Sequence, residues 1–569
     1  PKHYAVHSGP EPERHGFDAK AFERDLRETY LPAFRATVVE GKADSVMCAY
    51  NRTNGEPCCA NKRLLTDILR NEWGFAGYTV SDCGAITDIW KGHRFANTEA
   101  EASALAVKAG TDLSCGREYN SLVQAVKSGL ISEAEIDTAL KRLMTARFRL
   151  GMFDPPETVP YSRIPYSEND SAAHRELALR AARESIVLLK NENNMLPLRK
   201  DVKTIAVIGP NADALELLLG NYNGQPSKYV TPLTGIRNRV SSTTRVLYSQ
   251  GTSKLGGQKA AASSADEKAL RDDALEKARQ ADVVVMVMGI SPSVEGEEMK
   301  VNLEGFRGGD RTDITLPKAQ EDLLKDVHAL GKPVVLVLMN GSALAVNWAD
   351  QNVGAIVEAW YPGEEGGTAL ADVLFGDYNP SGRLPVTFYK SVSQLPPFDD
   401  YRMQGRTYRY FKDSPLYPFG FGLSYTKFKY GNLRLNASKV RAGESVRVSA
   451  EVENIGERAG DEVVELYVTD SAASVPVPIR SLKGFNRIFL KPGEKRRVSF
   501  TLEAEQLTLI DDNGRRILEP GEFIVTVGGK QPGFMGHADA ATTDVVSVRF
   551  TVVGKALEIS ERASLRTPR

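Results

Sequence analysis

The chain has 569 residues, of which 42% are hydrophobic and 25% are charged, so the composition is that of an ordinary globular protein. This length is too great for one hydrophobic core and predicts several domains. Because 72 Lys and Arg residues balance 73 Asp and Glu residues, to a formal net charge of -1, the chain lacks the basic excess of a dedicated nucleic-acid-binding protein. No run of about 18 apolar residues predicts a membrane-spanning helix.

Residues 1–150 have the pattern of parallel βα units. Helical patterns at 19–35, 62–72, 99–108 and 132–149 alternate with short strand patterns at 45–50, 77–80 and near 111–113. This alternation predicts the C-terminal part of a (β/α)8 TIM-like barrel. Only about half of the eight units are present, so we expect the others to lie upstream of residue 1 or on another chain.

A second α/β domain is predicted over residues 171–396, after a proline-rich linker at 151–170. It opens with a long helical pattern at 172–190. Almost wholly apolar strands follow, as expected for a parallel sheet covered on both faces, at 204–209, 282–289, 333–339 and 354–360, with helical patterns at 266–280 and 318–330. This organisation predicts an α/β sandwich.

The last third of the chain is predicted to be all-β. A turn-rich connector at 397–427 leads into residues 428–553, where apolar and polar residues alternate at 445–449, 463–468, 497–500 and 522–527. Many short alternating strands indicate a β-sandwich. The polar tail at 554–569 is predicted to be flexible.

Five cysteines all fall within the first 115 residues, and none has the paired spacing of a zinc site. They do not suggest a disulfide framework. A bridge between Cys83 and Cys115 is one interpretation, if their strands are neighbours, and buried free thiols are the other.

Asp82 is the first candidate for chemistry, because it follows the apolar strand pattern at 77–80. Catalytic groups of a barrel lie at the C-terminal ends of its strands. The alternative is that Asp82 caps the following helix, since aspartate is a favoured N-cap residue.

An acidic loop at 294–299 follows a strand of the second domain, and Glu295, Glu297 and Glu298 crowd within it. Repulsion among these carboxylates predicts a raised pKa for at least one, which suits a general acid. If the second domain leans over the barrel mouth, this loop and Asp82 supply the two carboxyl groups that glycoside hydrolysis needs. The alternative is a solvated acidic loop.

Lys2, His3, Arg14 and Tyr50 are candidates for holding a sugar, because they lie near the predicted barrel rim and can donate hydrogen bonds to hydroxyls. The alternatives are surface charges and, for Tyr50, a core tyrosine. The sequence has no Walker loop, dinucleotide fingerprint, Gly-x-Ser-x-Gly elbow or His-Glu-x-x-His motif. We therefore expect neither a metal nor another cofactor.

Several motifs together resemble glycoside hydrolase family 3. They are Lys2-His3-Tyr4, Arg14 to Asp18, Met47 to Asn51, Val80 to Cys83, Ala109 to Asp112, Asn340 to Ser342, Trp360 to Gly367, Pro380 to Pro385 and Tyr417 to Tyr425. The resemblance runs from residue 1 to about residue 553. It implies a barrel, an α/β sandwich and a fibronectin type III-like domain, with retaining hydrolysis of β-glycosides.

The resemblance also implies roles for single residues. Asp82 matches the family nucleophile, and Lys2, His3, Arg14 and Tyr50 match positions that hold the sugar in the first subsite. Cys83 stands where β-xylosidase-like members carry cysteine and many β-glucosidases carry tryptophan, so it is a substrate-binding candidate that favours xylosides.

The acid/base follows less directly from the resemblance, because its loop varies in this family. Glu297 is preferred by pattern, Glu295 is the reserve and a substrate-binding candidate, and Glu298 is a third candidate that is predicted to face outward. In xylosidase-like members Asp-Arg follows the acidic motif closely, whereas here Asp310-Arg311 comes after a longer stretch. An upstream acidic residue and an arginine that bind sugar hydroxyls in the family have no counterpart in this chain.

The sequence thus favours an exo-acting retaining β-xylosidase that releases single sugars from xylo-oligosaccharides. A β-glucosidase of the same family and a non-catalytic carbohydrate-binding fragment are the alternatives, and an N-acetylhexosaminidase is disfavoured because its His-Asp loop is missing. The expected partner is an oligosaccharide, with no nucleic acid and no membrane; a homodimer, or a second chain that supplies the other barrel units, is left open. The first residues show no signal-peptide pattern, and the resemblance implies a periplasmic or secreted enzyme.

Overall fold

The first 150 residues form part of a parallel barrel wall in the computed structural model, which describes residues 1–256, 263–534 and 536–560. Strands Ser45–Cys48 and Tyr78–Ser81 pair in parallel. Parallel bridges from Tyr4 to Cys48 and from Val80 to Leu113 add one segment on each side. The four segments lie side by side in chain order; the strands near 45–50, 77–80 and 111–113 were predicted, whereas the segment at Tyr4 was not.

Helices pack around this wall, with bounds Pro32–Val39, Arg63–Glu72, Ala85–Trp90, Glu99–Ala109, Leu122–Lys127 and Glu133–Arg149. The predicted helix at 19–35 is broken in the structure. It consists of a short helix, Glu23–Asp25, a π-helical turn, Leu26–Tyr30, and a helix that begins at Pro32. Proline lacks the N–H that an α-helix interior needs, so a new helix starts there.

The stretch at 151–170 was predicted to be an extended linker, but it forms three short 3-10 turns. They span Pro156–Thr158, Pro160–Arg163 and Tyr166–Glu168, and none contains a buried residue. Proline at the first position of two of these turns fixes the backbone angle that a turn requires.

The second domain contains a six-stranded sheet. Its strand order is Val187–Asn191, Ala355–Glu358, Val334–Met339, Val283–Gly289, Thr204–Ile208 and Arg245–Ser249. All neighbours pair in parallel except the first strand, which is antiparallel. Helices cover the sheet, with bounds Ala172–Ser185, Pro232–Arg239, Ser264–Gln280, Lys318–Ala329, Asn347–Asn352 and Gly366–Leu374.

The helix predicted at 172–190 is shorter in the structure, because its last residues form a strand instead. The helix ends at Ser185, and Ile186 has an extended backbone that leads directly into the edge strand Val187–Asn191. Residues 186–189 are all apolar and buried. A continuous run of this kind suits a strand of a sheet that is covered on both faces better than it suits one face of a helix.

The third domain is a β-sandwich. One sheet contains Phe428–Leu435, Val446–Asn454 and Lys495–Leu502, and the other contains Lys439–Arg441, Val545–Val553, Gly521–Gly528, Gly460–Asp470 and Ser481–Leu490. In the predicted flexible tail, Leu557–Glu558 pairs with Arg516–Leu518, and residues 561–569 lie outside the described residues. None of the helices in the described ranges combines the length and apolarity needed to cross a membrane.

Polar contacts link the three domains, and some of them are made by the connector at 397–427. Tyr30 Oη of the barrel part donates to Tyr401 O at 2.7 Å, and Arg409 donates to Thr29 Oγ1 at 2.8 Å. Arg383 of the second domain donates to Glu462 Oε2 of the third at 2.7 Å. The connector is therefore anchored on the barrel part, and a separate contact joins the second and third domains.

The cysteines form two disulfides, Cys48–Cys59 and Cys83–Cys115, and Cys58 is a buried free thiol. The expectation that the cysteines make no disulfide framework is wrong. Neighbouring strands bring Cys83 and Cys115 together, with their Cα atoms 4.4 Å apart. The Cys48–Cys59 bridge has no spacing signal in the sequence, because it joins a strand end to a 3-10 turn that folds back behind it.

Candidate active site

Asp82 lies at the C-terminal edge of the barrel wall. Its backbone N–H donates to Cys48 O at 3.1 Å, and the preceding Ser81 N–H donates to Leu113 O at 2.8 Å, so both neighbouring strands fix its position. The side chain does not cap the next helix, whose N-cap residue is Gly84. Oδ1 accepts from the Cys83 backbone N–H at 2.8 Å, whereas the buried Oδ2 has no hydrogen-bond partner among the described residues.

His3 lies beside this free oxygen, with Nε2 3.1 Å from Asp82 Oδ2 but not aligned for a hydrogen bond. Burial lowers the pKa of His3 to about 4, although the charge of Asp82 acts in the opposite direction. The imidazole is therefore neutral at neutral pH. Its ring contacts that of His7, at 5.1 Å between centroids, and His7 Nδ1 lies 3.0 Å from Asn51 Oδ1.

Tyr50 belongs to both the core and the site. Its side chain is buried, and its hydroxyl donates to Cys83 O at 2.9 Å. Burial raises the pKa of Tyr50, and the charge of Asp82 raises it further. The guanidinium of Arg14 lies 4.6 Å from the centre of the Tyr50 ring, so the ring also positions a cation near the nucleophile candidate.

Glu297 reaches from the second domain into this group. Arg14 Nη2 donates to its Oε1 at 2.7 Å, and the Tyr222 hydroxyl donates to its Oε2. Partial burial acts to raise the pKa of Glu297, but the hydrogen bonds from Tyr222 and Arg14 outweigh it, and the pKa is lowered. Glu297 is therefore ionised in this arrangement.

The three glutamates of the acidic loop point in different directions. Glu295 turns back into its own domain, where it accepts from Gly341 N at 2.7 Å, Ser342 Oγ at 2.6 Å and the Tyr361 hydroxyl at 2.6 Å. Glu298 is 58% exposed, in keeping with the prediction that it faces outward, although its Oε1 lies 2.9 Å from His15 Nε2 of the barrel part. The expectation that crowding raises a pKa in this loop fails for Glu297, because each carboxylate finds its own donors instead of facing another carboxylate.

The second domain does lean over the barrel rim. Glu11 N donates to Asp310 Oδ2 at 2.6 Å, and Glu298 N donates to Glu11 Oε1 at 2.8 Å. His15 lies between Asp88 and Glu298, at 2.7 and 2.9 Å. Burial acts to lower the pKa of His15, but the hydrogen bonds that its ring donates to both carboxylates raise the pKa overall. This contact brings the acidic loop to the same edge as Asp82.

Lys2 completes the arrangement from the exposed side. Its ammonium donates to the Tyr222 hydroxyl at 3.2 Å, and its charge contributes to the lowered pKa of Glu297. The charges of both Asp82 and Glu297 act on the pKa of His3. The structure thus brings together Lys2, His3, Arg14, Tyr50, Asp82 and Glu297, places Cys83 next to them in a disulfide, and leaves Glu295 apart.

Sequence reasoning missed Tyr222, His7, Asn51 and Glu11. Tyr222 lies in the loop Gly-Asn-Tyr-Asn-Gly at 220–224, which carries a turn signal and no sign of its partner 75 residues away. Within the described residues, no group of three or more His, Cys, Asp or Glu side chains could hold a metal ion.

Comparison with known proteins gives matches along most of the chain. The family described as "Glycosyl hydrolase family 3 N terminal domain" matches residues 1–146, the corresponding C-terminal domain matches 186–425, and a fibronectin type III-like domain matches 462–531. These matches agree with the three predicted folds in their predicted order.

Individual relatives include a "Xylan 1,4-beta-xylosidase" from Xylanibacter ruminicola, 36% identical over 93% of this chain and 76% of that protein. A "Periplasmic beta-glucosidase" from Salmonella typhimurium is 39% identical over 93% of this chain and 71% of its own length. Among solved structures, a β-glucosidase from Erythrobacter marinus superposes with a TM-score of 0.86 at 36% identity, covering 97% of this chain and 73% of that one. A family 3 exo-β-xylosidase superposes with a TM-score of 0.85 at 32% identity, covering 98% and 72%. The chain therefore belongs to glycoside hydrolase family 3 and is a glycoside hydrolase.

Proposed function

We propose that this chain is an exo-acting retaining β-xylosidase, with Asp82 as nucleophile and Glu297 as acid/base. The observation that carries the proposal is the state of the Asp82 carboxylate. One oxygen is fixed by the Cys83 N–H and the other, beside His3, has no hydrogen-bond partner among the described residues. A nucleophile needs this combination of fixed orientation and a free lone pair.

In the proposed first step, Asp82 Oδ2 attacks the anomeric carbon and forms an ester as the glycosidic C–O bond breaks. Glu297, as a carboxylic acid, gives its proton to the departing oxygen. In the second step the Glu297 carboxylate takes a proton from water, and that water attacks the anomeric carbon and breaks the ester. Two displacements at the same carbon retain its configuration.

For Glu297 to act as the acid, its lowered pKa must rise when substrate binds. The carboxylate now accepts from Arg14 and Tyr222, and both bonds favour its ionised form. An acid needs a higher pKa, so we propose that the substrate displaces at least one of these donors. Such displacement would couple sugar binding to protonation of the acid.

The preference for xylosides is supported by relatives named as β-xylosidases from bacterial, plant and fungal sources. Cys83, held in a disulfide beside Asp82, is the residue that the family resemblance associates with xylosidases. A β-glucosidase is the second candidate, because the matches at similar identity include proteins of that name. The two sugars differ by one hydroxymethyl group.

We propose a periplasmic or secreted location. Two disulfides in the barrel part fit an oxidising compartment, and one relative is named as periplasmic. A xylo-oligosaccharide is the partner that this reaction requires.

Steady-state hydrolysis of aryl β-xyloside and aryl β-glucoside by the 569-residue chain tests the proposal. We expect a higher kcat/KM on the xyloside and a loss of at least about 1,000-fold in Asp82→Asn. Asp67→Asn, at an exposed aspartate on an outer helix, is the matched control and should keep normal rates. Faster turnover of the glucoside would show that the chain is a β-glucosidase and not a β-xylosidase. Unchanged rates in Asp82→Asn would refute the assignment of Asp82 as the nucleophile.

A further inference from the structure

Tyr222 reaches from the second domain to the rim of the barrel part. Its hydroxyl donates to Glu297 Oε2 and accepts from the Lys2 ammonium at 3.2 Å. The Lys2 Nζ atom also lies 4.3 Å from the centre of the Tyr222 ring. Tyr222 therefore occupies one oxygen of the acid/base candidate and lies beside a residue that the family resemblance places on the sugar.

The two donors to Glu297 differ in how firmly they are held. The Arg14 side chain is 3% exposed and donates to Glu11 Oε1 at 2.5 Å, and its guanidinium lies 4.6 Å from the centre of the Tyr50 ring. A buried cation is costly to separate from its carboxylates. Tyr222 is 79% exposed, so water can replace its hydrogen bond at little cost. Of the two donors, Tyr222 is the one that a substrate can displace.

The loop around Tyr222 allows this displacement. Residues 221–225 are all exposed and belong to no helix or strand. Within the loop, Asn223 Nδ2 donates to Gly220 O at 2.8 Å, so the backbone turn is held independently of the Tyr222 side chain. The Tyr222 ring can therefore leave Glu297 without unpacking a hydrophobic core.

We propose that Tyr222 is a positioning residue that occupies Oε2 of Glu297 until the glycosidic oxygen of a saccharide takes its place. The inference rests on the proposed function, in which Glu297 is the acid. A tyrosine hydroxyl can donate a hydrogen bond, whereas a glycosidic oxygen carries no hydrogen and can only accept one. The exchange replaces a donor by an acceptor, so Glu297 must take up one proton from solvent to hydrogen-bond that oxygen. The proton passes to the departing oxygen when the glycosidic C–O bond breaks, and Tyr222 keeps its own.

The groups around Glu297 favour its ionised form while Tyr222 is in place. Burial acts to raise the pKa of Glu297, but the hydrogen bonds from Tyr222 and Arg14 and the charges of Arg14 and Lys2 lower it overall. The nearby His3 is neutral at pH 6, because burial lowers its pKa to about 4. Loss of the Tyr222 hydroxyl removes one of the bonds that favour the carboxylate, so the pKa of Glu297 should rise.

Binding of xylobiose and xylose to Asp82→Asn tests the exchange, because we expect no turnover in this variant. Calorimetry at pH 6 compares it with Asp82→Asn/Tyr222→Phe, in which the ring stays and the competing hydroxyl is gone. We expect xylobiose, which reaches Glu297, to bind at least about threefold more tightly to the double variant. Xylose, which fills only the first subsite, should change by less than about twofold. Asp82→Asn/Tyr229→Phe, at an exposed tyrosine of the same domain, is the matched control and should bind both sugars like Asp82→Asn.

NMR of chain labelled at glutamate Cδ supplies a second test, which needs neither a sugar nor hydrolysis. We expect the titration midpoint of Glu297, assigned with Glu297→Gln, to be higher in Tyr222→Phe than in the parent chain by about 0.5 pH unit or more. Tyr229→Phe should leave this midpoint unchanged.

Xylobiose that binds equally or more weakly to Asp82→Asn/Tyr222→Phe would overturn the exchange, because a tyrosine with a merely structural role would give this result. An equal gain for xylose and xylobiose would overturn the assignment of Tyr222 to the leaving-group side. If neither sugar binds, the proposed function fails, and the midpoint of Glu297 alone decides the role of Tyr222: an unchanged midpoint in Tyr222→Phe would overturn that role.

Discussion

Glu297 illustrates how an acidic cluster resolves into residues with separate partners. Its neighbours Glu295 and Glu298 accept from donors on other elements, and Glu297 alone contacts Arg14. The direction of each side chain is set by donors between 46 and 283 residues away in sequence. The family pattern favoured Glu297 from the sequence, whereas its lowered pKa depends on Arg14 and Tyr222 and could not be predicted.

Replacement of Glu297 by alanine should slow hydrolysis in proportion to the basicity of the leaving group. Xylobiose needs a proton on its departing oxygen, so we expect a loss of about 100-fold or more, whereas an activated aryl xyloside should lose far less in its first step. Azide should restore part of the activity by replacing water as the nucleophile. Steady-state kinetics on both substrates measure the split, with Glu295→Gln as the matched control. Equal losses on both substrates would argue against Glu297 as the acid.

His3 should titrate near pH 4, because burial disfavours its charged form. The unfolded-state value is 6.5, so protonation favours unfolding, and stability that is present above pH 6.5 is lost as the pH falls towards 4. The loss amounts to roughly 3 kcal/mol at most. NMR of chain labelled at histidine Cε1 measures the midpoint, with His3→Asn for assignment. Since Asp82 acts to raise the pKa of His3, Asp82→Asn should move the midpoint lower; a midpoint near 6.5 in the parent chain would contradict this account.

Elements with continuous apolar runs were predicted well from the sequence. The strand patterns at 282–289 and 333–339 became Val283–Gly289 and Val334–Met339, both buried at every position. Two edge strands were missed for different reasons. No turn signal separates Val187–Asn191 from the helix before it, so the helical pattern continues into the strand without a visible boundary. Arg245–Ser249 is buried only at its last residue and lacks an apolar run.

The residues of the candidate site that directly follow strands could be predicted from the sequence. Asp82, Tyr50 and Cys83 follow strands, so their common edge follows from parallel pairing. Tyr222 and Glu11 were not predictable, because their positions depend on how two domains pack. The Cys48–Cys59 bridge was missed for the same kind of reason: it depends on a turn that packs behind a strand end.

At the scale of the whole molecule, a buried ion pair joins the second and third domains. Glu462 is fully buried, and it accepts from Arg383, Tyr430 and Thr543. The order of the domains and their fold classes could be predicted from the sequence, because the hydrophobic periodicity changes along the chain from βα units to alternating strands. The contacts between domains could not be predicted, since a charged residue in a strand pattern gives no sign of its partner.

Arg383→Met should destabilise the chain by about 3–5 kcal/mol, because it leaves the Glu462 carboxylate buried without its cation. The double variant Arg383→Met/Glu462→Gln should recover most of this loss. Urea unfolding, with hydrogen exchange in the strands around Glu462, measures both. Arg496→Met, which breaks an exposed pair with Glu494, is the control and should cost no more than about 1 kcal/mol. A single variant as stable as the parent would show that the pair does not hold the domains together.

The most direct test of the central claim is covalent trapping of the glycosyl-enzyme. A 2-deoxy-2-fluoro-β-xyloside with an activated leaving group forms the ester quickly and hydrolyses slowly, since fluorine destabilises the oxocarbenium-like transition state. We predict one added fluoroxylosyl group per chain, located by peptide mass spectrometry on Asp82 and absent from Asp82→Asn. A label on a different carboxylate, or a label that persists in Asp82→Asn, would contradict the assignment of the nucleophile.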